Sequence, residues 1–232
     1  GPSGEKSCLG DPALGWALTS ENVSKIHDVL SKCSAVVVVA GLGGGVGSGA
    51  ISVVTECARS MGLRAVSAVV LPFPFEAERR ARAVAQLEHV VKGSDRTVVA
   101  DLGLLGNVTG DTAFKDFIDI SGRILGRAVL SIARMTRGPF ESLLTAKSYT
   151  MAYSESLDPV SAVSSAMKSP LCHTDPAGGK IIVSADNDFL SGDGSAVRTA
   201  ICDRTGIMPE LVVGNGTGRG MLLFIPMTYR FL

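Results

Sequence analysis

The residues best suited to chemistry in this chain are glycines that follow a short apolar run. Residues 36–40 read VVVVA, a pattern typical of a parallel strand that is buried on both faces. Six of the next nine residues are glycines, and a helical pattern then runs from Ala50 to Gly62. A strand, a glycine-rich turn and a helix N-terminus can together bind phosphate, because backbone N–H groups and the positive helix end face the anion. The residues that would make these contacts are Gly43, Gly44, Gly45, Val46, Gly47, Ser48 and Gly49.

The glycine turn does not match the two commonest nucleotide-binding motifs. A P-loop requires Lys and then Ser or Thr after its last glycine, and neither is present here. A dinucleotide-binding motif can be aligned as Gly45-x-Gly47-x-x-Ala50, but it requires an acidic residue at the end of the next strand. That strand, predicted at residues 65–71, is followed by Pro and Phe instead. A glycine-rich turn that binds no ligand is a further interpretation of the same residues.

Composition argues against several other classes of protein. The 22 basic and 22 acidic residues balance, which gives no electrostatic preference for nucleic acid or an acidic membrane. Residues 33–55 carry no formal charge, but their six glycines argue against a membrane-spanning helix. The five cysteines form no CxxC pair and the three histidines are far apart, so we expect reduced thiols in the cytoplasm and no metal site.

The elements that must position the glycine turn alternate between strand and helix, which predicts an α/β fold with a parallel sheet. We predict helices at 22–32, 75–92 and 112–135, and strands at 35–40, 65–71 and 96–100. A second and smaller α/β unit follows. Its predicted strands are 148–153, 180–185, 211–214 and 221–228, and its predicted helices are 158–168 and 195–205. We therefore predict domains at residues 5–137 and 138–232, with the long helix as the bridge between them.

Five motifs resemble those of FtsZ, the tubulin-like division GTPase, and they are spread over nearly the whole chain. The glycine turn resembles the signature GGGTG(S/T)G that tubulin and FtsZ share. Residues 10–15 (GDPALG) and 71–80 (LPFPFEAERR) are similar to the FtsZ patterns G(N/D)PxxG and KPFxFEGxxR. Ala113 and Phe114 with Asp119 resemble the start of the FtsZ central helix, and residues 169–171 (SPL) resemble its SPLL segment. The chain is identified as a divergent member of the FtsZ/tubulin superfamily, with a Rossmann-like GTPase domain, a central helix and a C-terminal α/β domain.

The resemblance implies a site for GTP or GDP with magnesium. The glycines would hold the β- and γ-phosphates, Glu76 would bind the ribose hydroxyls, and Arg80 would lie near the sugar and phosphates. Phe114 would pack on guanine, as aromatic side chains do on bases. Asp119 would accept hydrogen bonds from guanine N1–H and the 2-amino group, a pair of donors that suits one carboxylate.

Two departures from the family pattern concern the phosphates. Val46 stands where the family has Thr, so the turn lacks a hydroxyl whose hydrogen bond to a charged group would contribute roughly 1.5–3 kcal/mol. The family's first strand and its GVGGxG loop lie upstream of the GDPALG motif, whereas only nine residues precede that motif here. We expect the amino-terminal part of the GTPase domain to be missing, which would leave an open sheet edge and an apolar face.

A third departure concerns catalysis. In this family a loop after the central helix supplies acidic residues that polarise the attacking water in the neighbouring subunit. Residues 135–142 (MTRGPFES) contain Glu141 as their only carboxylate, which makes it a weak catalytic candidate. Since hydrolysis requires a positioned water and charge stabilisation, we expect it to be weak or absent.

These observations predict a guanine-nucleotide-binding, FtsZ-like cytoskeletal protein of cell division. The resemblance implies a cytoplasmic protein that self-associates into homo-oligomers or filaments, without nucleic acid and without a membrane span. The alternative is a nucleotide-free scaffold with the same fold, which assembles or modulates a conventional FtsZ polymer.

Overall fold

The computed structural model forms two compact units, residues 1–97 and residues 98–230. It describes residue 8 and residues 10–103, 114–137, 140–154, 160–161, 163–164, 179–185, 190, 194–213 and 221–227. The α/β class predicted from the sequence is confirmed. The break between the units falls after Thr97, whereas the domain boundary at residue 137 stays a prediction.

The described residues of the first unit form four helices and two complete strands, and they include the glycine turn. Its helices are α1 (Pro12–Ser20), α2 (Val23–Leu30), α3 (Gly45–Ser60) and α4 (Ala77–Gly93), and its strands are β1 (Ala35–Gly41) and β2 (Arg64–Leu71). The two strands pair in parallel, from Ala35 opposite Arg64 to Gly41 opposite Val70. This confirms the predicted strand-turn-helix-strand unit, because α3 makes the connection that parallel neighbours require.

Strand β1 forms an edge within the described part of the first unit. It pairs there with β2 alone, and Val39 on it is exposed. β2 is buried along most of its length, because helices of the unit cover it. β1 is thus the last strand on its side of the described sheet, and the missing amino-terminal part expected from the sequence stays a prediction.

Helix α1 packs closely against the start of α3, and three glycines make this approach possible. A Cβ atom on Gly49 would lie 2.3 Å from the backbone nitrogen of Trp16. One on Gly45 would lie 2.5 Å from the Cβ of Cys8, and Gly15 is equally crowded by α3. Since real Cβ atoms do not approach so closely, these positions require glycine for packing alone.

The start of α3 corrects one prediction. The helix was expected to begin at Ala50, because glycine is the poorest helix former apart from proline. It begins at Gly45, so Gly45, Gly47 and Gly49 lie in its first turns. Close contacts outweigh the low helix propensity of these glycines, because a Cβ atom at Gly49 would clash with α1, one at Gly47 with Gly41, and one at Gly45 with the segment before α1.

The second unit is a mixed α/β arrangement. It contains most of β3 (Arg96–Asp101), the long helix α5 (Phe114–Arg137), the short helix α6 (Phe140–Leu143), β4 (Ser148–Ser154), β5 (Ile182–Ala185), α7 (Ser195–Thr205), β6 (Glu210–Val213) and β7 (Met221–Pro226). Its strands lie in the order β3-β4-β7-β5-β6. β7 runs antiparallel to β4 and β5, while β5 and β6 are parallel. No helix in the described part of the chain is long and apolar enough to span a membrane.

Candidate functional site

The turn between β1 and α3 has a geometry that only glycine allows at one position. Gly43 has φ +84°, a left-handed conformation that side chains rarely adopt. A Cβ atom there would also lie 2.2 Å from the backbone oxygen of Arg79 on α4. Two independent constraints therefore select glycine at position 43, and the second shows that the turn packs against α4.

The N-terminus of α3 carries no side-chain cap. Its N-cap residue is Gly44, and the first N–H groups of a helix have no intrahelical acceptor. The N–H of Gly43 is used internally, since it donates to the Oγ of the buried Ser48 at 2.9 Å. Ser48 thus links the turn to the first turn of α3, while the N-cap residue of the helix supplies no side-chain cap and the helix end favours an anion.

The neighbouring helix end is filled by the protein. Asp11 is the N-cap of α1, and its Oδ1 accepts a hydrogen bond from the N–H of Ala13 at 2.8 Å. Pro12 occupies the first helical position, which suits its fixed φ and missing N–H. Of the two helix N-termini that meet at the glycines, only that of α3 lacks a carboxylate cap.

Glu76 lies just before α4 and is held as a charged carboxylate. Its Oε1 accepts from Nη1 of Arg79 at 2.7 Å, and its Oε2 accepts from the N–H of Phe73 at 3.2 Å. The Arg79 hydrogen bond is the main reason that the pKa of Glu76 lies below its ordinary value, with Phe73 adding to the effect and desolvation opposing it. Each oxygen keeps capacity for a further donor, such as a hydroxyl.

Among the arginines of α4, Arg79 and Arg82 contact the glycine turn, which the sequence did not indicate. Arg80, the predicted site residue, donates from Nη1 to the carbonyl of Pro72 at 2.6 Å. Arg82 donates from Nε to the carbonyl of Gly43 at 3.3 Å. Arg79 and Arg82 are three residues apart and so share one face of the helix, which is the signal that could have identified them. The first unit thus brings Arg79 and Arg82 to the turn, and the role of Arg80 stays a prediction.

The remaining predicted residues belong to the second unit. Asp119 is exposed on α5, which begins at Phe114. The side chains of Phe114 and Glu141 lie outside what the structure describes. Their proposed roles, like that of Asp119, stay predictions.

A cleft of about 580 Å³ lies between α1, α3 and α4. Ser48 and Gly49 contribute to it from α3, His89 contributes from α4, and the exposed Trp16 contributes from α1. Its volume is within the usual range for small-ligand sites. Among the described residues, no three His, Cys, Asp or Glu side chains are grouped so that they could hold a metal ion.

Sequence comparison relates this part of the chain to a known family. The profile of the Tubulin/FtsZ family, GTPase domain, matches residues 3–109. Cell division protein FtsZ 1 of Pyrococcus furiosus is 35% identical over 130 residues, which are 56% of this chain and 35% of that protein. Cell division protein FtsZ of Haloferax mediterranei is 33% identical over 129 residues, which are 55% of this chain and 34% of the relative. The chain thus spans about a third of the length of these relatives.

Solved structures share the fold over a larger part of the chain. A mutant FtsZ of M. jannaschii superposes with a TM-score of 0.77 at 23% identity, covering 95% of this chain and 73% of that one. An empty FtsZ dimer from M. jannaschii gives a TM-score of 0.75 at 22% identity and covers 93% of this chain and 70% of that one. At these identities the likeness concerns the fold alone.

Proposed function

Because residues 3–109 match the Tubulin/FtsZ family, GTPase domain, we propose that this chain is a member of the FtsZ/tubulin superfamily and that its first unit binds the phosphates of a guanine nucleotide at the N-terminus of α3. The observation that carries the proposal is the uncapped helix end that follows Gly43 and Gly44, within the segment matched by the family profile. Backbone N–H groups and the helix dipole there favour a group with negative charge.

In the first unit, one set of residues would contact the phosphates of the nucleotide and another would contact its ribose. The N–H groups of Gly45, Val46 and Gly47 would donate to phosphate oxygens, since they open the helix. Glu76 would accept hydrogen bonds from the ribose hydroxyls, a role supported by its charged state beside Arg79. Magnesium would be held largely by phosphate oxygens and water, as is usual for this ion.

The family resemblance assigns recognition of the base to two residues of α5. Asp119 would accept from the two donors of guanine, and Phe114 would pack on the ring. Both assignments derive from the family resemblance. A carboxylate rejects adenine because adenine lacks the matching pair of donors.

We further propose that the protein self-associates in the cytoplasm as part of a cell-division cytoskeleton. One of the structures that shares its fold is an FtsZ dimer, which supports association between copies. Hydrolysis would be weak or absent, since Glu141 is the only carboxylate in residues 135–142. A GTPase assay at several protein concentrations measures this, and turnover that rises steeply with concentration and is lost in Glu141→Ala would contradict it.

A nucleotide-free scaffold is the second candidate, and the helix packing favours it. Gly49 is required by contact with α1, Gly45 by contact with the segment before α1, and the Gly43 N–H has an internal acceptor. These glycines therefore need no ligand to explain them. Such a scaffold would assemble by itself or modulate a conventional FtsZ polymer.

One substitution separates the two functions. Gly44 has an extended backbone with open space around its Cβ position, so Gly44→Asp should fold and cap α3. The new carboxylate would occupy the proposed phosphate position, and GDP affinity measured by calorimetry should fall about tenfold or more. Gly44→Ala adds a side chain without charge and is the matched control, with GDP affinity close to that of the wild type. Absence of GTP and GDP binding in the wild-type protein would favour the scaffold.

A further inference from the structure

Arg82 joins two backbone segments that flank the open end of α3. Its Nε donates to the carbonyl of Gly43 at 3.3 Å, on the turn that leads into the helix. Its Nη2 lies 3.8 Å from the position that a Cβ on Gly10 would take, in the segment that leads into α1. The guanidinium is thereby held beside the site where the proposed function requires a phosphate.

Within the part of the chain that the structure describes, no carboxylate lies close enough to Arg82 to neutralise its charge. The nearest carboxylate oxygen is that of Glu78, 3.9 Å from Nη1, on a side chain that is 95% exposed. Such an exposed pair contributes little and is screened by solvent. Among the described residues neither Nη atom has a hydrogen-bond acceptor, so the two outer nitrogens keep their donors for a ligand.

The hydrogen bond from Nε of Arg82 fixes the guanidinium, so its Nη donors are already positioned for a ligand. An arginine loses rotamer freedom when it binds phosphate, and a side chain already fixed by one hydrogen bond loses less. The guanidinium fork suits the spacing of phosphate oxygens, with which it forms two charge-assisted hydrogen bonds. Val46 lacks the hydroxyl that the family pattern places near the phosphates. One phosphate oxygen would therefore need another hydrogen-bond donor.

We propose that Arg82 is a phosphate-binding residue, which contacts the β-phosphate of the nucleotide through its Nη donors. The proposal rests on the proposed function. It differs from the family resemblance, which assigns the arginine of this segment at position 80. In this chain Arg80 donates to Pro72, whereas Arg82 contacts the turn itself.

Arg59 is a closely matched control. Its side chain is 49% exposed, compared with 45% for Arg82. It also donates one hydrogen bond to a backbone carbonyl, that of Gly93 at 3.1 Å, and has one loose carboxylate partner, Asp95 at 3.6 Å. Arg59→Gln therefore removes the same charge and the same kinds of contact from another part of the unit.

The test compares GDP with GMP, which lacks the β-phosphate, by calorimetry on Arg82→Gln and Arg59→Gln. Loss of a charge-assisted contact should weaken GDP binding by Arg82→Gln about tenfold and leave GMP binding within about twofold. Arg59→Gln should change neither affinity. Equal GDP affinities in wild type and Arg82→Gln would overturn the proposal and leave the proposed function standing. Equal losses in the two variants, or equal losses of GDP and GMP, would also overturn it.

Arg82→Lys decides the matter if Arg82→Gln does not fold, as judged by circular dichroism. Lysine keeps the charge but cannot hold the Gly43 carbonyl and a phosphate with one rigid fork. A selective loss of GDP over GMP affinity of about threefold is expected. Unchanged selectivity would overturn the proposal. Failure of the wild-type protein to bind either nucleotide is a separate result, which would refute the proposed function and this inference with it.

Discussion

The backbones of Gly15 and Gly45 are in direct contact: a Cβ atom on Gly15 would lie 2.1 Å from the carbonyl oxygen of Gly45. One glycine belongs to the GDPALG motif and the other to the glycine turn. The two motifs are therefore halves of one helix contact, between α1 and α3. This contact places the capped end of α1 beside the open end of α3.

The contact predicts a large effect of a single methyl group. In Gly49→Ala the new Cβ would meet backbone atoms of Trp16 and Pro12 within 2.4 Å, so α1 must shift. We expect a loss of about 1–3 kcal/mol in the free energy of unfolding, measured in urea by circular dichroism. Gly126→Ala is the matched control, because Gly126 lies in α5 with open space around it. It should stabilise the protein by about 0.5–1 kcal/mol through helix propensity, and effects of equal sign would contradict the packing argument.

Val46→Thr should strengthen nucleotide binding. The side chain of Val46 is 57% exposed in the first turn of α3, so threonine fits without repacking. One added hydrogen bond to a charged phosphate should lower the Kd for GDP about tenfold. Val46→Ala changes the side chain without adding a donor and should leave the Kd unchanged. Identical Kd values in the threonine variant and the wild type would mean that phosphate does not bind at this helix end.

The pKa of Glu76 should depend on Arg79. Arg79→Gln removes the main cause of its lowering, so the pKa should rise towards its ordinary value, as measured by carbon NMR. Lys92→Gln is the control, because Lys92 bonds Glu88 and lowers the pKa of that carboxyl instead. A pKa of Glu76 that stays low in Arg79→Gln would exclude the ion pair as its cause.

The same shift sets the sign of a pH effect on stability. A carboxyl whose pKa is lowered by folding stabilises the protein at pH above its unfolded value, and this contribution is lost as the pH falls through the folded value. Wild type and Glu76→Gln should therefore differ most near neutral pH and converge in acid, below pH 4.5. Urea unfolding at a series of pH values measures the difference. Convergence at high pH instead would reverse the sign and refute the assignment.

Asp119 should determine the choice of base. It is exposed on α5, so Asp119→Ala should fold normally. If Asp119 accepts the two donors of guanine, the wild type should prefer GTP to ATP by about tenfold or more, and the variant should lose that preference. Asp116→Ala removes the same charge from an exposed position of the same helix and should retain it. Equal affinity of the wild type for the two nucleotides would refute the guanine assignment.

Hydrophobic periodicity predicted the helices and strands well where the local sequence pattern agrees with the way the element packs. The strand at 65–71 and the helix at 195–205 are found as Arg64–Leu71 and Ser195–Thr205. The α1 helix was missed, although Asp11 and Pro12 are typical N-cap and N1 residues. The GDPALG motif was interpreted as a loop, and the short helix that begins within it has little amphipathic pattern to reveal it.

The candidate site was less predictable, since it depends on how helices pack. The resemblance assigned Arg80, whose role is untested, and it gave no sign of Arg82, which reaches Gly43 because of the way α4 lies against the turn. A sequence pattern records which residues share a helix face, but not what that face touches. The start of α3 at Gly45 was hidden for the same reason, because the contact with α1 is not local in sequence.

The glycine contact between α1 and α3 also bears on how this motif persists through evolution. Substitutions at Gly15, Gly45 or Gly49 would be removed by selection for folding, whatever the protein binds. A descendant that abandoned nucleotide would thus keep most of the glycine signature unchanged. Gly44 is under no such steric constraint, since its Cβ position is open. Among homologues, drift at position 44 against constancy at 45 and 49 would mark lineages in which the ancestral ligand had been given up.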